Sequence, residues 1–149
     1  MQYCAKAEHC TQDVVAKLKS WGVSGLESEE IIERLKKENF INDARYAKAY
    51  VNDKWKLDHW GKKKIRHQLQ VKNIDDPLIE IPLDEINEAE YTHELATQLS
   101  RKEKELKLAG WRRDIQPTAV NRIYNFGVSR GFEEELILKW LESKGYIYK

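Results

Sequence analysis

Apolar residues along this 149-residue chain recur every three or four positions, the spacing that lines one face of an α-helix. Val14, Val15, Leu18 and Trp21 form a first stripe, and Gly22 closes it with the positive φ that helix C-termini adopt. Ser28, followed by Glu29 and Glu30, predicts the start of a second helix with Ile31, Ile32 and Leu35 inward. Asn42 then caps a third, on which Tyr46, Ala47, Tyr50, Lys54 and Leu57 share a side. Thr11 is expected to cap the first helix of this trio.

The pattern repeats. Leu18-Lys19-Ser20-Trp21-Gly22-Val23 returns as Leu69-Gln70-Val71-Lys72-Asn73-Ile74 and as Ile123-Tyr124-Asn125-Phe126-Gly127-Val128, at intervals of 51 and 54 residues. Gly22, Asn73 and Gly127 hold one place, so each is predicted to end a helix; Leu18, Leu69 and Ile123 are the equivalent core positions. Ile41-Asn42-Asp43-Ala44-Arg45-Tyr46 is echoed by Ile86-Asn87-Glu88-Ala89-Glu90-Tyr91. Such a period implies supersecondary units that bury their apolar faces on their neighbours. Asp76-Pro77 starts a short middle helix in the second copy, and Asn87 caps a long one through Tyr91, Leu95 and Leu99. The expected fold is all-α, a tandem array of three-helix repeat units forming an elongated, curved molecule. Its parts are an N-terminal helix over 1–10, suggested by the likeness of Tyr3–Ala7 to Tyr46–Tyr50, and repeats over 11–58, 59–113 and 114–149.

Composition narrows the function classes. Hydrophobic residues make up 41% and charged residues 34%, with a net charge of +1, so bulk charge does not mark a nucleic-acid binder. No apolar run reaches the roughly 20 residues of a membrane span, and the N-terminus lacks the apolar core of a secretory signal. Two cysteines are too few for a disulfide framework. Cys4, His9 and Cys10 lack the paired short spacings of a zinc site, and no phosphate loop or nucleophile motif is present, so neither metal, cofactor nor catalysis is expected. Asp43 and Arg45 read as a dipole-complementing acid and an ion-pairing base.

The distribution of charge says more. Lys54, Lys56, Lys62, Lys63, Lys64 and Arg66 gather about the turn at Gly61, with Trp55, His59, Trp60 and His67 interleaved. Cations displace counterions from phosphates and aromatic planes stack on bases, so this junction is the candidate contact for DNA or an acidic partner; a solvated helix end is the plainer alternative. The proposed contact set is Arg45, Lys54, Lys56, Trp60, Lys62, Lys63, Lys64 and Arg66. The run of Arg101, Lys102, Lys104, Lys107, Arg112 and Arg113, mixed with Glu103 and Glu105, reads as a solvated helix tail.

Tyr3–Cys10, Phe40-Ile41-Asn42-Asp43-Ala44-Arg45-Tyr46-Ala47 and Trp60-Gly61-Lys62-Lys63-Lys64-Ile65-Arg66-His67-Gln68-Leu69 resemble the RecX family of recombination regulators. Asn42 stands where the family pattern has Asp, which keeps a cap. The resemblance implies a monomeric bacterial cytoplasmic protein of DNA repair and the SOS response. Such a protein would bind the RecA recombinase filament, lie in its groove and inhibit strand exchange, ATPase and co-protease activities, with single- or double-stranded DNA as a further partner. A stand-alone DNA-binding module and a structural helical scaffold are the other readings the residues allow.

Overall fold

A computed structural model describes residues 8–106 and 117–147, and these form eight helices without a strand: α1 (Thr11–Ser20), α2 (Gly25–Lys37), α3 (Asp43–Lys56), α4 (Lys62–Val71), α5 (Asp76–Asp84), α6 (Glu88–Glu105), α7 (Pro117–Ser129) and α8 (Glu134–Ser143). The fold is the all-α one that the periodicity predicts. The chain divides into two compact units, Met1–Asp53 with Arg66–Leu83, and Lys54–Ile65 with Asp84–Lys149. The N-terminal helix expected over 1–10 falls largely outside the described residues, as does the 113/114 boundary.

In unit one, Val14, Leu18, Ile32, Leu35 and Ile41 form a buried cluster, with Val23, Ile31 and Phe40 packed against it. In unit two, Tyr91 lies between Trp55 and Phe132, ring centroids 5.4 and 5.3 Å apart. Leu95, Leu99, Ile123, Ile137 and Leu141 are buried in the same unit.

Both Asn-led phrases do the same local work. Asn42 accepts from the amide of Arg45 and Asn87 from that of Glu90, each at 3.0 Å, so each side chain satisfies an otherwise unpaired first-turn donor.

Five helices end with one closure. A left-handed residue turns the chain, and the amide after it reaches back five positions: Val23 to Leu18, Phe40 to Leu35, Ile74 to Leu69, Phe132 to Gly127 and Tyr146 to Leu141, at 2.8–3.2 Å. The left-handed residues are Gly22, Asn39, Asn73, Gly131 and Gly145. This is the Schellman arrangement, which pairs helix-end carbonyls and brings an apolar residue back onto the core.

The closures correct the third copy of the repeat. Gly127 does not end a helix; it lies inside α7, and Gly131 carries the positive φ of +94°. Sliding a helical sequence by four residues, about one turn, keeps its apolar face inward. Letters alone therefore could not distinguish the Ile123 register from the Gly127 register; the hydrogen bond does. Gly127 serves packing instead, because a Cβ there would stand 2.7 Å from Ile137 Cδ1 and 3.3 Å from Leu99 Cδ2. Ile123 is nonetheless fully buried, as are Leu69 and, nearly, Leu18.

Several helix ends also differ from expectation. Cys10, not Thr11, is the N-cap of α1, and its amide donates to Asp13 at 3.4 Å. The Thr11 amide and hydroxyl turn instead to the Asp43 carboxylate, at 2.9 and 3.1 Å. Ser28 is buried within α2, which begins at Gly25 directly after the extended Ser24; Glu27 is thus the first-turn acid, and Glu29 and Glu30 lie further along. Leu57 follows the end of α3 and is 72% exposed, while Trp21 and Val15 lie off the buried stripe of α1.

Candidate functional site

The basic junction lies in unit two, where α3 ends at Lys56 and α4 begins at Lys62. Backbone contacts set the start of α4. The Gly61 amide donates to the Arg130 carbonyl at 2.7 Å and the Lys63 amide to the Gly131 carbonyl at 2.9 Å. A Cβ on Gly61 would fall 2.3 Å from Gly131 C and O, so glycine is required for this approach. The Lys62 amide donates to the Tyr91 hydroxyl at 2.9 Å, and that hydroxyl donates to Glu133 Oε2 at 2.7 Å. With these first-turn amides occupied, the attraction of the junction for anions comes from its side chains.

Those side chains divide into two groups. Lys54 Nζ and Lys64 Nζ lie 4.8 and 4.3 Å from the ring centroid of half-buried Trp60. Lys54 is also 3.0 Å from Asp58 Oδ2, and the Trp60 amide is tied to the Lys54 carbonyl at 2.9 Å. Lys56 and Lys63 are exposed, and neither they nor Lys64 make an ion pair among the described residues.

Three expected contacts are engaged elsewhere. The Lys62 side chain is only 13% exposed, its ammonium 4.8 Å from the Tyr91 ring centroid and 3.6 Å from Glu88. Its charge is therefore turned inward and is not open to solvent. Arg66, in unit one, holds Glu80 with two bonds of 2.5 and 3.2 Å. Arg45, also in unit one, pairs with Glu8 at 2.6 Å and donates to the Asn39 carbonyl at 3.2 Å.

Beside the junction a groove of about 450 Å³ is lined by Trp55, Lys56, His59, Ala89, Glu90, His93 and Glu94. His59 Nδ1 stands 2.9 Å from Glu94 Oε1 across it. In the second basic run, Lys102 pairs with Glu105 at 3.2 Å, while the buried Glu103 accepts from the Tyr146 hydroxyl. Burial first, and then Glu103, push the Tyr146 hydroxyl pKa upward. Lys107, Arg112 and Arg113 lie outside the described residues.

Residue reasoning missed the support of α4. Tyr91 belongs to a recognised repeat phrase, but nothing in the letters joins it to Glu133, 42 residues away. It also missed a polar cluster in unit one, where Lys72 Nζ meets Asp13 Oδ1 at 2.7 Å. Burial works against the Asp13 carboxylate, but the Lys72 hydrogen bond and charge prevail and lower its pKa. Lys72 is raised chiefly by that same bond. Burial, then the Asp13 charge, push Tyr46 to about 12, and burial raises the Cys10 thiol. No three described His, Cys, Asp or Glu side chains are grouped to hold a metal. No described helix is long and apolar enough to cross a membrane.

Residues 42–81 match the family model described as "RecX, second three-helix domain". A protein of Finegoldia magna named "Regulatory protein RecX" is 28% identical over 126 residues, covering 84% of this chain and 60% of the relative. One of the same name from Prosthecochloris aestuarii is 26% identical over 140 residues, covering 94% of this chain and 87% of the relative. The chain belongs to the RecX family. The crystal structure of RecX from Lactobacillus salivarius has the same fold, with a TM-score of 0.80 at 23% identity, over 98% of this chain and 92% of that one. The matched segment starts at the Asn42 cap and takes in α3, α4 and α5 as far as Ile81. The family's second three-helix domain thus begins one helix before the span 59–113.

Proposed function

We propose that this protein is a regulator of the RecA recombinase: it binds the recombinase filament on DNA and inhibits ATP hydrolysis, strand exchange and co-protease activity. Membership of a family whose relatives are named regulatory proteins carries this reading. The basic junction supports it, because Lys56, Lys63 and Lys64 are cations without a carboxylate partner among the described residues, available to a phosphate chain or an acidic protein surface. Arg45, Lys62 and Arg66 enter this reading as supports of the surface, since their charges already face Glu8, Glu88 and Glu80. The protein works as a monomer in the bacterial cytoplasm.

The test is RecA ATPase turnover on single-stranded DNA with and without this protein, and the expected result is a dose-dependent fall in turnover. Lys56→Gln, Lys63→Gln and Lys64→Gln combined should weaken inhibition and flatten its salt dependence, by about 0.7–0.9 log–log units per lost phosphate contact. The melting temperature should hardly move, since exposed charges contribute little to stability. Unchanged turnover at every protein concentration would remove the proposal; full inhibition by the triple variant would move the contact off this junction.

A further inference from the structure

The groove beside the junction has the opposite sign to the cations next to it. Glu90 and Glu94 of α6 line it, and Lys56 is the one lysine or arginine among its lining residues. Two carboxylates against one ammonium group leave a surplus negative charge while the imidazoles are neutral. Its walls include planar rings, those of His59, His93 and the buried Trp55, which is packed against Tyr91 at 5.4 Å between centroids.

The groove is also built in advance. His59 has a φ of +58°, a left-handed conformation that few residues other than glycine adopt. Buried Gln98 holds it there, its side-chain amide donating to the His59 carbonyl at 2.8 Å and to Glu94 Oε1 at 3.1 Å. The same Glu94 oxygen stands 2.9 Å from His59 Nδ1. Gln98 thus ties the segment after α3 to α6. Glu94 is engaged in these contacts, whereas Glu90 is exposed and makes no ion pair among the described residues.

We propose that this groove binds an arginine side chain presented by a segment of a partner protein. A guanidinium offers two parallel N–H groups to one carboxylate, here Glu90, and a flat face to aromatic rings. A lysine brings the charge without the plane. The volume of about 450 Å³ suits one long side chain with the backbone beside it, and exposed Lys56, Ala89, Glu90 and His93 leave the groove open to an incoming chain. The two carboxylates repel phosphate, so the groove and the cations Lys63 and Lys64 select partners of opposite charge. The proposal stands apart from the recombinase reading.

The experiment titrates a blocked pentapeptide, one arginine flanked by alanine and glycine, into the isotope-labelled full chain and follows amide resonances. Resonances of residues 55–59 and 89–94 should shift together, with a Kd of about 1 mM. The same peptide with citrulline, which keeps the shape of arginine and loses its charge, should bind about tenfold more weakly, and a lysine peptide about threefold. Glu90→Gln should weaken arginine binding about tenfold, and Lys56→Gln should tighten it about twofold by removing the opposing cation. Free arginine, whose own carboxylate meets the two of the groove, should bind more weakly than the peptide.

Equal affinity for the citrulline peptide, a result from the wild-type protein alone, overturns the proposal even if Glu90→Gln fails to fold. Wild-type affinity in a folded Glu90→Gln, shifts confined to other residues, or tighter binding of free arginine also overturns it. Sedimentation tests the remaining occupant: a wild-type dimer that Glu90→Gln abolishes would put a second copy of this chain in the groove and refute a foreign partner. Lys56→Gln separates the two readings, since it should strengthen arginine binding while contributing to weaker recombinase inhibition.

Discussion

Tyr46 in unit one and Tyr91 in unit two occupy the same place in matching phrases, four residues after an Asn cap, and do different work. Tyr46 stacks on Tyr50, ring centroids 5.8 Å apart, near the Asp13 charge. Tyr91 is wedged between Trp55 and Phe132, and its hydroxyl joins the Lys62 amide to Glu133. The helix starts they accompany are held differently as well. The first amide of α1 is held by a carboxylate, Asp43, and that of α4 by the Tyr91 hydroxyl beside a glycine-on-glycine backbone contact. One local pattern builds the same helix end twice, and the side chains packed around each copy decide what its tyrosine does.

The largest test takes one core residue from each unit. Leu69→Ala and Ile123→Ala should each lose about 2–5 kcal/mol in urea titrations. Equal melting of wild type and either variant would show that the buried positions are misassigned.

The two glycine turns should separate the units next. Gly61→Ala forces a Cβ into the backbone of Gly131 and should lose about 3 kcal/mol, the upper end of overpacking. Gly22→Ala meets open space and carries only the strain of its φ of +81°, about 1 kcal/mol. Similar losses for the two would erase the distinction.

Between the tyrosines, Tyr91→Phe leaves the Lys62 amide without its partner and should lose about 1–3 kcal/mol. Tyr46→Phe should lose less than about 1 kcal/mol. The caps should behave alike, Asn42→Ala and Asn87→Ala each losing about 1 kcal/mol, because here the local pattern acts alone.

The smallest effect belongs to unit one. Asp13 has a folded pKa below its ordinary 3.8, so its contribution is present above that value and fades as pH falls through the lower folded one. Lys72 is raised above 10.5, so its contribution is present below that value and is lost as pH rises through the folded one. Both partners are partly exposed, and an Asp13→Asn, Lys72→Met double-mutant cycle at pH 7 should give less than about 1 kcal/mol. A coupling that does not weaken at all as pH falls below 3.8 would contradict the assignment to the Asp13 carboxylate.

Helix identity, the Asn42 and Asn87 caps and the buried places of Leu18, Leu69 and Ile123 are legible in the letters. They follow from residues within one or two turns, where helical spacing and capping chemistry act locally. The register of the third copy was not legible, because Ile123 and Gly127 stand one turn apart on the same face. Cys10 was overlooked as a cap because Thr11 beside it has the better capping side chain, and only the carboxylate of Asp43, 32 residues away, draws Thr11 aside.

For the candidate site, the sequence by itself determined where the cations and indoles gather, since six of the eight proposed residues fall between positions 54 and 64. Only the tertiary structure decided which charges remain open. Lys62 is folded onto Tyr91 and Arg66 onto Glu80, whereas Lys64 reaches the Trp60 ring. Residue type sets the charge of a side chain, but whether that charge faces solvent, a ring or a carboxylate depends on residues brought near it by folding, which spacing along one helix does not specify.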